Sequence, residues 1–268
     1  MKTTIGCVGG GNIIRAILSG TDMSGNYKKS EIGVYDINAD VVKDYANKGY
    51  VGYDTMEDAI KNSGIVILAV LPQVMRSIMP QVKSVYSPDN IFISLAAGIS
   101  NDWFYENLGD DAKIVQCVPT LPAQVGLSAY SVSRSKAVTD SDYKAVSDFL
   151  NSSGIVVQVP DSLMYEVVPF AGAAPAYFYH MADIAMQEAE KFGLDSSAAL
   201  KLFAQTMKGS AQMLLDAEIT PKEMEKKLLL PGAATLAAIN KMEELGFDDC
   251  IRQGIQACVV QCRNLGKL

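Results

Sequence analysis

Apolar residues in the first half of the chain fall into short unbroken runs separated by mixed, helix-like stretches. Thr4–Val8 is a short apolar strand that ends at Gly9-Gly10-Gly11, and a helical stretch begins at Asn12. Glu31–Tyr35 reads as a second strand closing at Asp36. Ile65–Val70 is apolar throughout and is stopped by Pro72, the pattern of a strand buried on both faces. Ile91–Leu95, Lys113–Val118 and Ile155–Val159 are similar, with helical candidates at Val41–Asn47 and Ser141–Leu150. Such alternation predicts a parallel sheet with helices on both faces.

After about Asp161 the strand runs cease. A helix is expected from Pro175 to Lys191, with Gly193 as its stop, and Asp195 is placed to cap the next. Thr220-Pro221-Lys222-Glu223 joins a capping box to a proline at the first helical position. Pro231-Gly232 opens a helix ending near Gly246, and a last helix covers roughly Asp249–Asn264. Leu200, Phe203, Ala204 and Met207 recur at helical spacing, as in a core or an interface. The architecture read from the pattern is α/β: an N-terminal Rossmann-type, doubly wound parallel sheet over residues 1–162, then an all-helical domain over residues 163–268.

Composition narrows the function. The 268 residues are 49% hydrophobic and 20% charged, values of an ordinary globular chain rather than a disordered one. A net charge of −7, with no Lys/Arg run longer than two, gives no general attraction for phosphate backbones or anionic lipid, so neither nucleic acid nor membrane is an expected partner. Cys7, Cys117, Cys250, Cys258 and Cys262 include no CxxC pair, and His180 is the single histidine. No metal site is expected from them, and scattered thiols suit a reducing, cytoplasmic setting. The glycine run starts at Gly9, which leaves no room for a signal-peptide core. The longest uncharged stretch, Ile114–Ser133, carries Pro119 and Pro122 and does not read as a membrane span.

The chemistry begins at the first turn. Gly9-Gly10-Gly11-Asn12-Ile13 lies between a strand and a helix, where glycine permits a tight turn and a helix N-terminus attracts a pyrophosphate. Ile14 occupies the third position, where Gly or Ala is usual. Asp36, at the end of the second strand, can accept hydrogen bonds from an adenosine ribose and repel a 2′-phosphate. The next residues, Ile37-Asn38-Ala39-Asp40, offer no cation, so NAD(H) is favoured over NADP(H), which stays possible. The alternative role for Asp36 is a cap on the following helix.

Segments in order along the whole chain resemble those of pyrroline-5-carboxylate reductases. These are Ile5–Asn12, Ala69-Val70-Leu71-Pro72-Gln73, Ala96-Ala97-Gly98-Ile99, Pro119-Thr120-Leu121-Pro122, Gly172-Ala173-Ala174-Pro175-Ala176, the helix bearing Gln205-Thr206, and Pro231-Gly232-Ala233-Ala234-Thr235. The resemblance implies a helical domain that forms dimers or larger homo-oligomers. It implies reduction of 1-pyrroline-5-carboxylate to L-proline with NAD(P)H, a step of proline biosynthesis. It also implies that Ala69–Pro72 and Ala96, Ala97 and Gly98 border the cofactor. Pro231–Thr235 would then hold the substrate, and Glu218 would sit near its nitrogen; the alternative for Glu218 is a solvated carboxylate at a helix end. A cyclic imine is already electrophilic, so such an enzyme chiefly positions an imine carbon and anchors a carboxylate. The amides of Ala233 and Ala234, behind Gly232, are candidates for that anchor, and the Thr235 hydroxyl is the candidate catalytic group, placed to bond either the ring nitrogen or the carboxylate.

Departures from the pattern cluster at these sites. Leu71 stands for the family's Lys, Asp36-Ile37 for its Asn-Arg, and Met56 for an Asn near the adenosine. Lys227-Leu228-Leu229-Leu230 replaces a polar stretch before Pro231, and Lys227 is a candidate to supply lost carboxylate attraction. These changes keep two alternatives open: an NAD-dependent reductase of another cyclic imine or carbonyl, and a non-catalytic nucleotide-binding relative. A β-hydroxyacid dehydrogenase is disfavoured, because Ala145–Glu190 contains no Lys or Arg to handle an alcohol proton.

Overall fold

The computed structural model describes residues 2–96 and 98–265. Eight strands form one sheet in the order β3-β2-β1-β4-β5-β6-β7-β8. They are β1 (Thr3–Val8), β2 (Ile32–Tyr35), β3 (Val51–Gly52), β4 (Ser63–Leu68), β5 (Ile91–Ser94), β6 (Lys113–Val118), β7 (Ser128–Arg134) and β8 (Gly154–Gln158). Helices α1 (Asn12–Ser24), α2 (Ala39–Asn47), α3 (Met56–Lys61), α4 (Pro72–Val85), α5 (Asn101–Leu108) and α6 (Asp140–Asn151) connect them. The rest of the chain is helical: α7 (Ala174–Lys191), α8 (Ser196–Asp216), α9 (Pro221–Lys226), α10 (Ala234–Glu244) and α11 (Phe247–Leu265). The expected fold class, a Rossmann-type sheet followed by helices, is the one observed.

Strand patterning explains the two apolar layers. On β4, Ile65 and Ile67 join a layer with Ile14 and Ile17 of α1 and Phe149 and Leu150 of α6. Val66 and Leu68 join the opposite layer, with Ile60 of α3, Met75 and Met79 of α4 and Phe104 of α5. A strand covered on both faces must be apolar at every position, which is why its run is unbroken.

Two strand expectations are corrected. The sheet is not parallel throughout, because β6 and β7 pair antiparallel, with Cys117 opposite Val132. β7 escapes a search for apolar runs: Tyr130 and Val132 enter the core, while Ser131 and Ser133 alternate with them. The Ile155–Val159 run does not form a strand buried on both faces. It corresponds to β8 at the sheet edge, where Val156 packs inward and Ile155 and Val157 are half exposed.

The chain divides into two compact units. One comprises residues up to Pro175 together with those from Cys258 onward, and the other is Ala176–Ala257. In the second, start signals act as read: the Asp195 side chain accepts from Ala198 N–H at 2.9 Å, and Thr220 and Glu223 form a reciprocal capping box. Ala199 is its one buried hydrophobic side chain among the described residues. Among the described residues no helix is long and apolar enough to cross a membrane.

Candidate functional site

β1 ends at Val8, and Gly9 then takes φ +98°, a conformation glycine adopts without strain. A Cβ at Gly9 would lie 2.5 Å from the Ala69 carbonyl oxygen, and one at Gly10 2.7 Å from Val41 Cγ1. Internal packing therefore accounts for these two glycines. It does not account for Gly11, where nothing lies within 4 Å of a built Cβ. Gly11 is the N-cap of α1, and no side chain caps that helix. The amides of its first turn, Asn12 and Ile13, therefore have no capping side chain, and an uncapped helix N-terminus attracts anions. Ile14 is fully buried among Cys7, Ile17 and Val34, so an isoleucine makes the helix–strand contact.

Asp36 is tied to this loop. Its Oδ2 accepts from Gly10 N–H at 2.7 Å and its Oδ1 from Asn38 N–H at 2.9 Å. It is not the cap of α2: Asn38 fills that role, accepting from Asp40 N–H at 3.0 Å. The Tyr45 hydroxyl donates to the Gly10 carbonyl at 3.1 Å, and burial raises that phenol far above its ordinary pKa, keeping it a neutral donor. Ile37 is 94% exposed beside Asp36. Nearby cations are engaged: Arg15 and Lys48 both pair with Asp44, at 2.6 and 2.8 Å, and Lys43 pairs with Asp40.

Gly9 and Ala69 meet where β1 and β4 end, and the Ala69 N–H donates to the Val8 carbonyl at 2.9 Å. Val70 packs on the α3–α4–α5 layer. Leu71 caps α4 ahead of Pro72 and is 70% exposed. Ala96 and Gly98 line a cleft of about 110 Å³; Ala97 lies outside the described residues. The cleft brings together Ser94 of β5, Gln116 of β6, Pro119, Met164, Tyr165, Val168 and Cys262 of α11. Sequence reading missed all of these but Pro119, because they come from distant segments with no local motif. Asp161 anchors one side: its Oδ1 accepts from Asn101 Nδ2 at 2.8 Å, Gln116 Nε2 at 3.0 Å and Ser133 Oγ at 3.3 Å. Burial raises the Asp161 carboxyl above its usual range, although the Ser133 bond works against the shift.

In the second unit, Gly232 takes φ +79°, and nothing lies within 4 Å of its built Cβ. Ala233 is the N-cap of α10, with no side-chain cap. Its own amide donates to the Leu230 carbonyl at 3.0 Å, so this expected anchor is already engaged. The amides that open α10 belong to Ala234 and Thr235, and the Thr235 side chain is exposed. Glu218 lies exposed in the turn between α8 and α9, and among the described residues no hydrogen bond joins it to Gly232–Thr235. Among the described residues no group of three His, Cys, Asp or Glu side chains is placed to hold a metal ion.

Comparison with known proteins agrees with the order of motifs. A family described as pyrroline-5-carboxylate reductase dimerisation matches residues 161–265, and one described as NADP oxidoreductase, coenzyme F420-dependent, matches residues 4–98. The pyrroline-5-carboxylate reductase of Methanosarcina acetivorans is 30% identical over 264 residues, covering 98% of each chain. That of Escherichia coli is 28% identical over 268 residues, covering all of both. Among solved structures, the Plasmodium falciparum pyrroline carboxylate reductase with NADP bound superposes with a TM-score of 0.89 at 23% identity, covering 98% of each chain. The chain belongs to the pyrroline-5-carboxylate reductase family, oxidoreductases that reduce 1-pyrroline-5-carboxylate to proline with a nicotinamide cofactor.

Proposed function

We propose that this protein reduces 1-pyrroline-5-carboxylate to L-proline with NADH, in the cytoplasm, as a homodimer or larger homo-oligomer built through its C-terminal helices. The observation that carries the reading is a matched pair of features. Gly11 and Gly232 each precede a helix with no side-chain cap, and each has open space where a Cβ would lie. One suits the pyrophosphate of a dinucleotide and the other a small carboxylate.

When bound, the reduced nicotinamide would supply a hydride to the C=N carbon; with the nitrogen already protonated, the π pair stays there as the lone pair of the product amine. The chain's residues position these groups. Gly9, Gly10, Gly11, Asn12 and Ile13 hold the pyrophosphate, and Asp36 accepts from the ribose hydroxyls with its remaining lone pairs. Ala69, Val70, Leu71, Pro72, Ala96, Ala97 and Gly98 border the dinucleotide. The Ala234 and Thr235 amides hold the substrate carboxylate beside Gly232 and Ala233. The Thr235 hydroxyl donates or accepts at the ring nitrogen, and Glu218 favours the protonated imine. The preference for NADH follows from charge: a 2′-phosphate would meet the Asp36 carboxylate, while Arg15, Lys43 and Lys48 are paired elsewhere.

The test is NADH and NADPH oxidation with 1-pyrroline-5-carboxylate and with six-membered cyclic imines. Turnover of the five-membered substrate with the higher kcat/KM for NADH supports the proposal. Leu228 and Leu230, both exposed just before Pro231, favour a second reading in which a less polar cyclic imine is the better substrate. Faster turnover of such an imine would establish that reading, and NADH binding without any turnover would leave only a nucleotide-binding role.

A further inference from the structure

Two consecutive pairs of residues meet in the sheet-bearing unit. Tyr165 and Cys262 line the cleft that holds Ala96 and Gly98. The residues directly after them, Glu166 and Arg263, form an ion pair across 97 positions of sequence. The two segments that wall the cleft are thereby fastened one residue behind their lining side chains.

We infer that the Glu166–Arg263 pair is a positioning device, which sets the width of the cleft beside Ala96 and Gly98 and with it the rate of hydride transfer. The inference rests on the reading of this unit as the hydride-transfer half of the enzyme. One wall of the cleft is rigid, because Ser94 and Gln116 are register partners on adjacent strands. The other wall consists of Met164, Tyr165 and Val168 with the end of α11. It is held at Asp161, which accepts three side-chain donors, and at Glu166. Glu166 Oε1 accepts from Arg263, while Oε2 is buried without a partner. The pair is only partly shielded from water, with the Arg263 side chain 57% exposed and that of Glu166 29%, so it acts by fixing geometry and adds little stability. The Arg263 bond holds the Glu166 carboxyl below its usual pKa, so the pair is ionised at neutral pH. Neither group reaches the cleft lining, so neither is a catalytic residue. Their effect passes through Tyr165 and Cys262.

The consequence is separable from simple stability. Displacing a reacting group by about 1 Å can cost on the order of a hundredfold in rate. The dinucleotide's tight contacts lie elsewhere, at Gly9–Ile13 and Asp36. Loosening the cleft therefore lowers kcat and leaves the KM for NADH nearly unchanged.

The test uses the full chain with Glu166→Gln, Arg263→Gln and Arg263→Lys. Expected for both glutamine variants is a fall in kcat of about tenfold, with the KM for NADH within about twofold. Alkylation of Cys262 by N-ethylmaleimide, read by site-resolved mass spectrometry, should accelerate severalfold. The contact joins one nitrogen to one oxygen, so Arg263→Lys should restore most of kcat and of the thiol's protection. Unchanged Cys262 labelling in both glutamine variants overturns the inference, as does a kcat that stays at the wild-type level. If the wild type turns over no imine, the functional reading fails, and the labelling still decides whether the pair governs the cleft.

Discussion

The carboxylate of Asp36 accepts a hydrogen bond from the Gly10 backbone N–H at 2.7 Å. The residue proposed to select the cofactor therefore also shapes the loop proposed to bind it. Hydrogen bonds to charged groups contribute roughly 1.5–3 kcal/mol each. Asp36→Ala should lower kcat/KM for NADH by about 10- to 100-fold, and lower the NADPH value less, because it also removes the like charge facing a 2′-phosphate. Adding Ile37→Arg at the exposed neighbour should raise NADPH use further. Steady-state kinetics with both cofactors checks this, and an unaltered NADH-to-NADPH ratio in Asp36→Ala would remove Asp36 from the site.

Gly232 offers an independent test of the substrate anchor. Its φ of +79° costs a residue bearing a Cβ about 1–2 kcal/mol. Gly232→Ala should therefore shift the turn that presents the Ala234 and Thr235 amides. The KM for the imine should rise at least about tenfold, equivalent to roughly 1.4 kcal/mol of binding, while the NADH dissociation constant is unchanged. An imine KM equal to that of the wild type would show that the carboxylate is held elsewhere.

Asp142 links stability to pH. Burial alone would raise its carboxyl pKa, but bonds from the Thr139 side chain, the Thr139 backbone and Lys113 outweigh burial and bring it below the usual value. Thr139 N–H lies 3.0 Å from Oδ2, and Lys113 Nζ 3.1 Å from it. A depressed folded-state pKa means that the stabilisation is complete above the unfolded value of about 3.9 and is lost as pH falls through the folded one. Asp142→Asn should cost roughly 1.5–3 kcal/mol at pH 7, and the gap to wild type should close as the pH drops below about 4. Urea denaturation at fixed protein concentration and several pH values measures it. A gap of equal size at pH 7 and pH 3 would exclude an electrostatic origin.

Which parts of this molecule were legible in the sequence follows from the range of the signals. The Thr220–Glu223 capping box, the Asp195 cap and the Gly193 stop are local devices, and each acts where its residues stand. The glycine loop was legible because a strand, a turn and a helix follow one another within a few residues. β7 was not, because three of its seven residues are serines, which are buried only once the sheet has formed. The cleft was hidden for a stronger reason. Ser94, Gln116, Tyr165 and Cys262 become neighbours through strand pairing and the return of α11, and no spacing along the chain encodes that. The engaged Ala233 amide is a smaller case: Pro-Gly reads as a helix start, but which of the amides the turn consumes depends on where the Leu230 carbonyl points.

The helical unit yields the last prediction. Residues 176–257 bury Ala199 as their single apolar side chain among the described residues, while Leu202 is 65% exposed and Leu215 70%. Monomeric proteins rarely leave contiguous apolar patches beyond a few hundred Å² in water. Burying a leucine fully stabilises by roughly 1.5–3 kcal/mol, so a handful of these side chains meeting a second copy would offset the entropy of association. The match of residues 161–265 to a dimerisation family identifies that second copy as the partner to expect. Folding and association should then be coupled, and the Tm should depend on concentration. Dilution by a hundredfold removes about 2.7 kcal/mol of association free energy, which lowers the Tm by several degrees. Leu215→Lys should shift the species seen by sedimentation velocity toward the monomer and lower the Tm at every concentration. A Tm that ignores dilution, at a sedimentation mass of one chain, would leave these helices exposed in solution and would require another explanation for their apolar surface.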